Sequence, residues 1–508
     1  MHENAIKHVT GLILLVCMIC FSSVSVTAKE TEINPDYSKM DSFIEKEMRT
    51  CRIPGLSLGI VKGNEIIYRK GYGIADPTGR KVMPQTPFKI ASLSKSFTAM
   101  AVMQLAEAQK LDLDKPVQTF IPGFHLSDKT AASEITVRNL LNHTSGIGSG
   151  EDYVFDTLWD DSVTLNEYIN RISRIKPGKK LFQYGNISYN ILGKVIENVT
   201  GLSYGEYISE NIFKPLDMNH SYVSQEQAKA EEMAVGYRTL FGIPVPVEYP
   251  YQIYNLPAAG IISSSEDISK YIIALLNGGN YNHRQILSES GVTGLMTPSV
   301  KISEYVSYGL GWYVTSGSVY HGGEFTNYQS KVKLLPEDSI GVVIMYNTSS
   351  IVFTRLFRTG YRDRIESGII SILYGYEPDS VQPGSGIFDL NRYPMSVTYT
   401  IYIGLYLFIG ILLLISAIRL KNFYPGLQKY KKNIYMKLIY TMLIQVFLPV
   451  LAVVLLPVIT GMPWSFIVFY VPDLGYFILL SAGIDLLLGI IKVILFTKYF
   501  KTGRDKNM

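Results

Sequence analysis

Apolar positions change rhythm several times along the first 375 residues. Residues 36–50 show helix-spaced apolar positions and read as a helix leading into the fold. "GLSLGIVKGNEIIYRKGYG" follows, two β-rich runs around Gly63-Asn64, a pair suited to a tight hairpin turn. Helix-like stretches dominate from 92 to about 230. Strand patterns return at 309–320 and in "YQSKVKLLPEDSIGVVIMYN", a second hairpin around Pro336–Ser339. A helical run over about 352–374 closes the region. Strands and helices at both ends of a helical insertion predict an α/β sandwich over 36–375: an antiparallel sheet with flanking helices, joined to a mostly helical subdomain.

The rhythm is lost at both termini. Lys7 and His8 precede "GLILLVCMICF" and then "SSVSVTAKE", with small residues at Val26 and Ala28. Residues 1–28 therefore read as a secretion signal cut before Lys29. Pro383–Gly386 marks a linker, 376–396. Beyond it, 397–418 and 438–460 carry no charge, and 474–496 carries only Asp485 and Lys492. Each run is long enough to cross about 30 Å of hydrocarbon as a helix. Three spans are expected.

Charge orients these spans. Residues 419–508 hold eleven Lys/Arg against three Asp/Glu, although the whole chain has a net charge of only +4. Six of the basic residues lie in the 419–437 loop, while 461–473 has no Lys or Arg. The excess of cations on cytoplasmic loops places the first loop and the tail inside, and residues 29–396 outside the cytoplasm. The expected location is thus a bacterial cell membrane, multi-pass, with the lipid bilayer as a partner. Asp485 inside a span is costly and pairs with a neighbouring helix or serves a function. No basic, aromatic-studded face points to nucleic acid. With the signal removed only Cys51 remains, so no internal disulfide forms. No Cys/His cluster has metal-ligand spacing, and no cofactor is expected.

Candidate chemistry begins at "FKIASLSKSFTAM". Residues three apart share a helix face, so Lys95 can reach the Ser92 oxygen. A serine hydroxyl needs a base before it attacks a carbonyl. An ammonium beside it lowers the cost of an alkoxide, and a buried lysine can itself take the proton. Pro87 and the strand-like approach start the helix near Ser92, where backbone N–H groups favour negative charge. Alone the motif is weak: Ser-x-x-Lys is expected about twice by chance in a chain this long. By itself it describes a core helix with a solvated lysine. Tyr184 alone would be a half-buried aromatic, and His321 alone a strand histidine. His143-Thr-Ser-Gly reads as a helix cap and turn, and Tyr189 as helix packing.

Three motifs in order change that: Ser92-x-x-Lys95, Tyr184-Gly-Asn186 and His321-Gly-Gly323. With "ITVRNLLNHTSGI", "LPAAGIISSSEDISKYI" and "YGLGW", the chain resembles the serine β-lactamase and penicillin-binding-protein superfamily, in its class C-like, D,D-peptidase branch. The resemblance covers about 36–370. It implies a serine hydrolase in which Ser92 is acylated and Lys95 and Tyr184 share its proton; which of them is the base stays open. Tyrosine ordinarily titrates near 10, so Tyr184 needs cationic neighbours to do this. The resemblance further implies that Asn186 donates to the substrate amide, and that the backbone N–H groups of Ser92 and Glu324 form the oxyanion hole beside Gly323. His321 stands where many relatives have lysine; partly protonated at pH 7, it would hold a carboxylate only weakly. Glu324 should point away from the cleft by strand alternation.

Asn327 stands where relatives commonly have glycine, either as a polar contact to substrate or as a turn residue with φ > 0. Signal, hydrolase domain and three spans together are similar to the colibactin-maturing peptidase and related membrane-anchored D-asparaginyl peptidases. Those remove an N-acyl-D-asparagine cap from nonribosomal peptides. That similarity implies an acylated peptide substrate with a D-residue. Asn327, together with Tyr254 and Asn255, would surround the D-Asn side chain. The spans would assist dimerisation or reception of cargo from an exporter. The competing expectations are a cell-wall D,D-carboxypeptidase, endopeptidase or esterase, and a non-enzymatic sensor. The short inner loops leave no room for a sensor's signalling domain.

Overall fold

The computed structural model describes residues 33, 35–148, 162–240, 243–349, 361–378, 395–429, 434–460, 463–470 and 472–504. The expected signal 1–28 lies outside the described residues, as do most of the linker and the start of the 352–374 run.

An antiparallel sheet forms the centre. Its strands are β1 (Gly55–Lys62), β2 (Glu65–Gly73), β5 (Val300–Lys301), β6 (Ser307–Tyr308), β7 (Tyr313–Val314), β8 (Val319–Glu324), β9 (Gln329–Leu335) and β10 (Ile340–Tyr346). They lie in the order β2-β1-β10-β9-β8-β7-β6-β5. Both hairpins fall where expected. Gly63 has φ +56° between the paired Lys62 and Glu65, a conformation glycine adopts without penalty. The second hairpin turns through Pro336–Asp338.

Period-2 alternation assigns each face of the sheet. Leu56, Leu58 and Ile60 of β1, with Val342 and Ile344 of β10, pack on Met40, Phe43 and Ile44 of α1 (Tyr37–Cys51) and on Ile365 and Ile369 of α5 (Tyr361–Leu373). Ser57 and Gly59 point the other way, to α4 (Ser265–Leu276): the Ser57 hydroxyl lies 2.7 Å from that of Ser265, and a Cβ at Gly59 would overlap Ser269. Helices on both sides leave every residue of β10 buried, which is why its sequence is an unbroken apolar run. Cys51 is buried in the first core, where Arg364 touches its sulfur and burial pushes its thiol up to about 12.

The helical subdomain is built around α2 (Ser94–Glu107) and α3 (Asn186–Thr200), which share one large core with the inner face of the sheet. A two-stranded pair, β3 (Phe88–Lys89) with β4 (Ile262–Ser263), anchors the chain just before Ser92.

The C-terminal region is helical: α6 (Met395–Leu420), α7 (Ile434–Ile459), the short α8 (Trp464–Tyr470) and α9 (Pro472–Arg504). Among the described residues two helices are long and apolar enough to cross a membrane, α7 and Pro472–Thr502 of α9. They contain 438–459 of the expected span 438–460, and all of 474–496. The third expected span, 397–418, falls in α6, where Tyr406–Leu420 counts only as a shorter apolar helix. Two of the three expected spans thus fall on helices with the length and apolarity that crossing a membrane needs. Inside the bundle the Gln445 amide donates to Asp485 (3.0 Å) and Ser416 (2.8 Å), and Lys492 donates to Gln445 Oε1 (2.7 Å). Asp485 is thus held by a neighbouring helix.

Candidate active site

The segment around Ser92 departs from the expected helix start. Ser92 sits in the middle of a single 3₁₀ turn, Ala91–Leu93, and α2 begins only at Ser94. The turn is entered through Ala91 at φ +48°, a left-handed conformation that costs free energy in a non-glycine residue. Ile90 holds it from both sides: its N–H donates to Ile261 O (3.0 Å) and its carbonyl accepts from Ser330 Oγ (2.7 Å).

Lys95 is fully buried at the start of α2. Its ammonium donates to Ser92 Oγ (3.1 Å), Asn186 Oδ1 (2.7 Å) and the Ala258 carbonyl (3.0 Å). It also lies 4.8 Å from the centroid of the Tyr184 ring. Serine, lysine, tyrosine and asparagine, from segments up to 94 residues apart in sequence, thus meet at one amine. A cation against the Tyr184 ring favours negative charge on the phenol oxygen.

β8 supplies the opposite wall. It pairs with β9 along its whole length but with β7 only at Val319 and Tyr320. From His321 onward its edge faces the turn that carries Ser92. Gly323 makes this approach: a Cβ there would overlap the Ile90 carbonyl oxygen and crowd Ser330 Oγ. Glu324 turns away as expected, accepting from the Gln329 amide (2.6 Å).

Three expectations need correction. The His321 ring is 1% exposed; Nδ1 bonds to Gly322 O (2.8 Å) and Nε2 lies 3.3 Å from the Tyr308 hydroxyl. Burial, with Lys95 nearby, pulls it down to about 3. His321 is therefore neutral at pH 7 and orients aromatic neighbours rather than holding a carboxylate. Tyr254 stacks on Tyr168 (4.5 Å) in the core, Asn255 Oδ1 accepts from Asn190 (3.2 Å), and neither lines the cavity that Asn327 lines. Asn327 itself is buried, not a left-handed turn residue, and its Nδ2 donates to Val247 O (2.8 Å).

Other residues near the site escaped the sequence reading. His143 is completely buried 4.5 Å from Tyr184, ring to ring, and 5.1 Å from Tyr308. Tyr313 stacks on the other side of Tyr184 at 6.3 Å. These rings form the wall that holds the Tyr184 phenol. The "YGLGW" match was the one signal for Tyr308. Nothing in the pattern marked His143 as more than a turn residue.

The family model for Beta-lactamase matches residues 40–363. The chain belongs to this family, a family of serine hydrolases. Protein flp of Staphylococcus aureus (strain MRSA252) is 31% identical over 329 residues, 62% of this chain and 64% of its own length. The unguisins hydrolase ungD' of Aspergillus campestris is 28% identical, covering 60% of each chain. Among solved structures, the octameric penicillin-binding protein homologue from Pyrococcus abyssi aligns with a TM-score of 0.59 and 30% identity, over 68% of this chain and 79% of that one. A class C β-lactamase aligns at 0.56 and 21% identity, over 68% and 97% respectively, a likeness of fold.

Proposed function

We propose that this protein is a membrane-held serine peptidase that works through an acyl-enzyme and removes an N-acyl-D-asparagine cap from a peptide outside the cytoplasm. The observation carrying the chemistry is the Lys95 ammonium shared between Ser92 Oγ and Asn186 Oδ1 beneath the Tyr184 ring. In this reading Lys95, held by Ser92, Asn186 and Ala258, acts as a fixed cation. The Ser92 proton then passes to Tyr184. The Ser92 oxygen bonds to the carbonyl carbon, and the oxyanion is held by the N–H groups of Ser92 and Glu324. As the C–N bond breaks, Tyr184 returns the proton to the leaving amine. Water repeats the sequence and frees the acyl group. Losing one oxyanion donor typically costs about 10²–10³ in rate.

Two features support an acylated, amide-bearing substrate over a free peptide C-terminus. A neutral His321 offers no charge to a terminal carboxylate. Apolar helices in the same chain keep the site beside a bilayer, where an acyl chain partitions. A relative named for hydrolysing unguisins agrees with peptide cleavage. We further propose three spans, with α6 completing the bundle and the basic 419–437 loop inside the cell.

Cell-wall peptide cleavage is the second reading, favoured by the likeness to the penicillin-binding protein homologue. Incubating the full-length protein with an N-acyl-D-Asn amide and a D-Ala-D-Ala peptide, followed by mass spectrometry, separates the two. Cleavage of the first alone is expected; cleavage of the second alone reverses the assignment. Ser92→Ala should abolish either activity while leaving the protein folded.

A further inference from the structure

A groove of about 670 Å³ lies between the last turn of α1, the end of β2 and a hairpin formed by Tyr237–Leu240 and Ile243–Pro246. Tyr237 and Pro244 of the hairpin line it. Two of its walls belong to elements that meet the C-terminal helices. Arg238, next to Tyr237, donates to Val468 O of α8 (3.4 Å), and α1 touches α6. Ile243, at the turn of the hairpin, is 59% exposed. With residues 29–396 outside the cytoplasm, this groove lies at the outer surface of the bilayer, where an apolar side chain such as Ile243 can enter the headgroup boundary.

Its polar side chains are Glu45, Arg49, Arg52, Lys70, Tyr72 and Tyr237; every other lining residue is apolar or glycine. Lys70 and Tyr72 are taken up by Asp41, which accepts from them at 2.6 and 2.7 Å. Glu45 lies 3.5 Å from Arg49, one helical turn away, on an exposed face where such a pair is weak. Arg49 and Arg52 are both exposed, three residues apart at the end of α1. Residues 1–418 hold 36 Lys/Arg against 40 Asp/Glu, so these two arginines stand out in a region of negative net charge. The Tyr237 hydroxyl is buried, and among the described residues it has no hydrogen-bond partner. A ligand acceptor would remove that cost. The groove therefore suits an anion with several oxygens. A phosphate can serve two guanidinium forks and a hydroxyl together, whereas a carboxylate has only two oxygens to share among them.

We infer that this groove seats the headgroup of an anionic phospholipid of the outer leaflet, its phosphate accepting from Arg49, Arg52 and the Tyr237 hydroxyl. The lipid then holds the hydrolase domain down beside α8, a tether separate from the helices that cross the membrane. The inference rests on the membrane placement proposed above and is independent of the peptidase chemistry.

The test uses full-length protein in dodecyl maltoside micelles doped with phosphatidylglycerol or phosphatidylcholine, each carrying a diazirine beside its phosphate. Crosslinked peptides are mapped by mass spectrometry. Phosphatidylglycerol should label the peptides around Arg49–Arg52 and Tyr237 at least about tenfold more than phosphatidylcholine. Each cation at a membrane surface is worth about fivefold in lipid affinity. Arg49→Gln combined with Arg52→Gln should therefore raise the phosphatidylglycerol fraction needed for half-labelling by about tenfold to thirtyfold. Both side chains are exposed, so the double variant keeps its fold. Tyr237→Phe should raise that fraction by about twofold to tenfold, and Lys214→Gln, an exposed cation outside the groove, should leave it unchanged. No label in the groove, equal labelling by the two lipids, or a half-labelling fraction unmoved in the double variant overturns the inference. If sn-glycerol 3-phosphate or a hexaglutamate peptide removes the label at concentrations below that of the lipid, the groove takes a soluble anion or an acidic peptide and the inference likewise falls. Label on the basic 419–437 loop is expected in every variant; its absence while the groove is labelled removes the three-span reading and leaves the lipid site standing. Hydrolysis is not measured, so the fate of the peptidase reading does not alter the result.

Discussion

One amine joins the three motifs, so its removal should be severe. Lys95→Met leaves Asn186 Oδ1 and Ala258 O without their donor and Tyr184 without its cation. Steady-state hydrolysis should fall by about 10²–10⁴, with a lowered but still cooperative thermal transition, because Met fills the buried stem while each acceptor that loses its donor costs about 1–3 kcal/mol. His321 gives a second test. Its folded-state value is lowered from 6.5 to about 3, so between those pH values the unfolded chain binds a proton that the folded chain does not. Stability should therefore fall as pH drops from 6.5 toward 3, and be unaffected by this group above 6.5. Urea midpoints at pH 7 and 4.5 check this: His321→Gln should show a smaller acid-dependent loss than wild type. Ser92, Lys95, Tyr184 and Asn186 were legible because each pair lies within three residues and carries its own chemistry. His143 was not: its place against Tyr184 and Tyr308 comes from neighbours brought together by the fold.

At the scale of elements, alternation and turn chemistry made both hairpins readable, since Gly63-Asn64 and the Pro336 turn each sit between strands of clean pattern. The nucleophile turn was not readable as drawn. A helix from Ser92 was expected, yet Ala91 takes φ +48° and a 3₁₀ turn intervenes. The constraint is tertiary: Ile90 is bonded to β9 and to the segment before β4. Gly323 carries the same constraint from the other side. Gly323→Ala would drive β8 away from Ile90 and displace the Glu324 N–H from that of Ser92. A misplacement of about 1 Å costs roughly 10²-fold in rate. kcat should drop by that order, whereas Gly317→Ala, in open space on a surface turn, should leave kcat unchanged. Equal effects at the two glycines would exclude close packing as the reason for Gly323.

Across the whole molecule the two parts are separable in their cores but joined at one point of functional interest. Both large cores draw only on residues 40–373, and the third, around Leu427, Ile434 and Phe496, belongs to the C-terminal helices. Composition announced this division, and the long uncharged runs announced the helices. Their contact with the hydrolase domain was not legible, because "GMPWSFIVFYVPDLG" reads only as apolar. In the structure Phe469 of α8 packs on Tyr249 (5.1 Å) and Phe325 (6.2 Å), and Arg238 donates to Val468 O (3.4 Å). A fragment spanning residues 36–375 should therefore fold, with a thermal midpoint close to that of the same domain in the full-length protein. It should hydrolyse a simple ester at a similar rate, because Ser92, Lys95 and Tyr184 keep all their partners. Loss of the Phe469 rings' contacts is worth about 0.5–1.5 kcal/mol, or roughly two- to tenfold, and should appear as lower kcat/KM on the N-acyl-D-Asn amide alone. Phe469→Ala in the full-length protein should reproduce that selective loss. If the fragment and the variant lose ester and amide hydrolysis in equal measure, α8 supports the fold of the domain as a whole, and the membrane helices have no part in substrate choice.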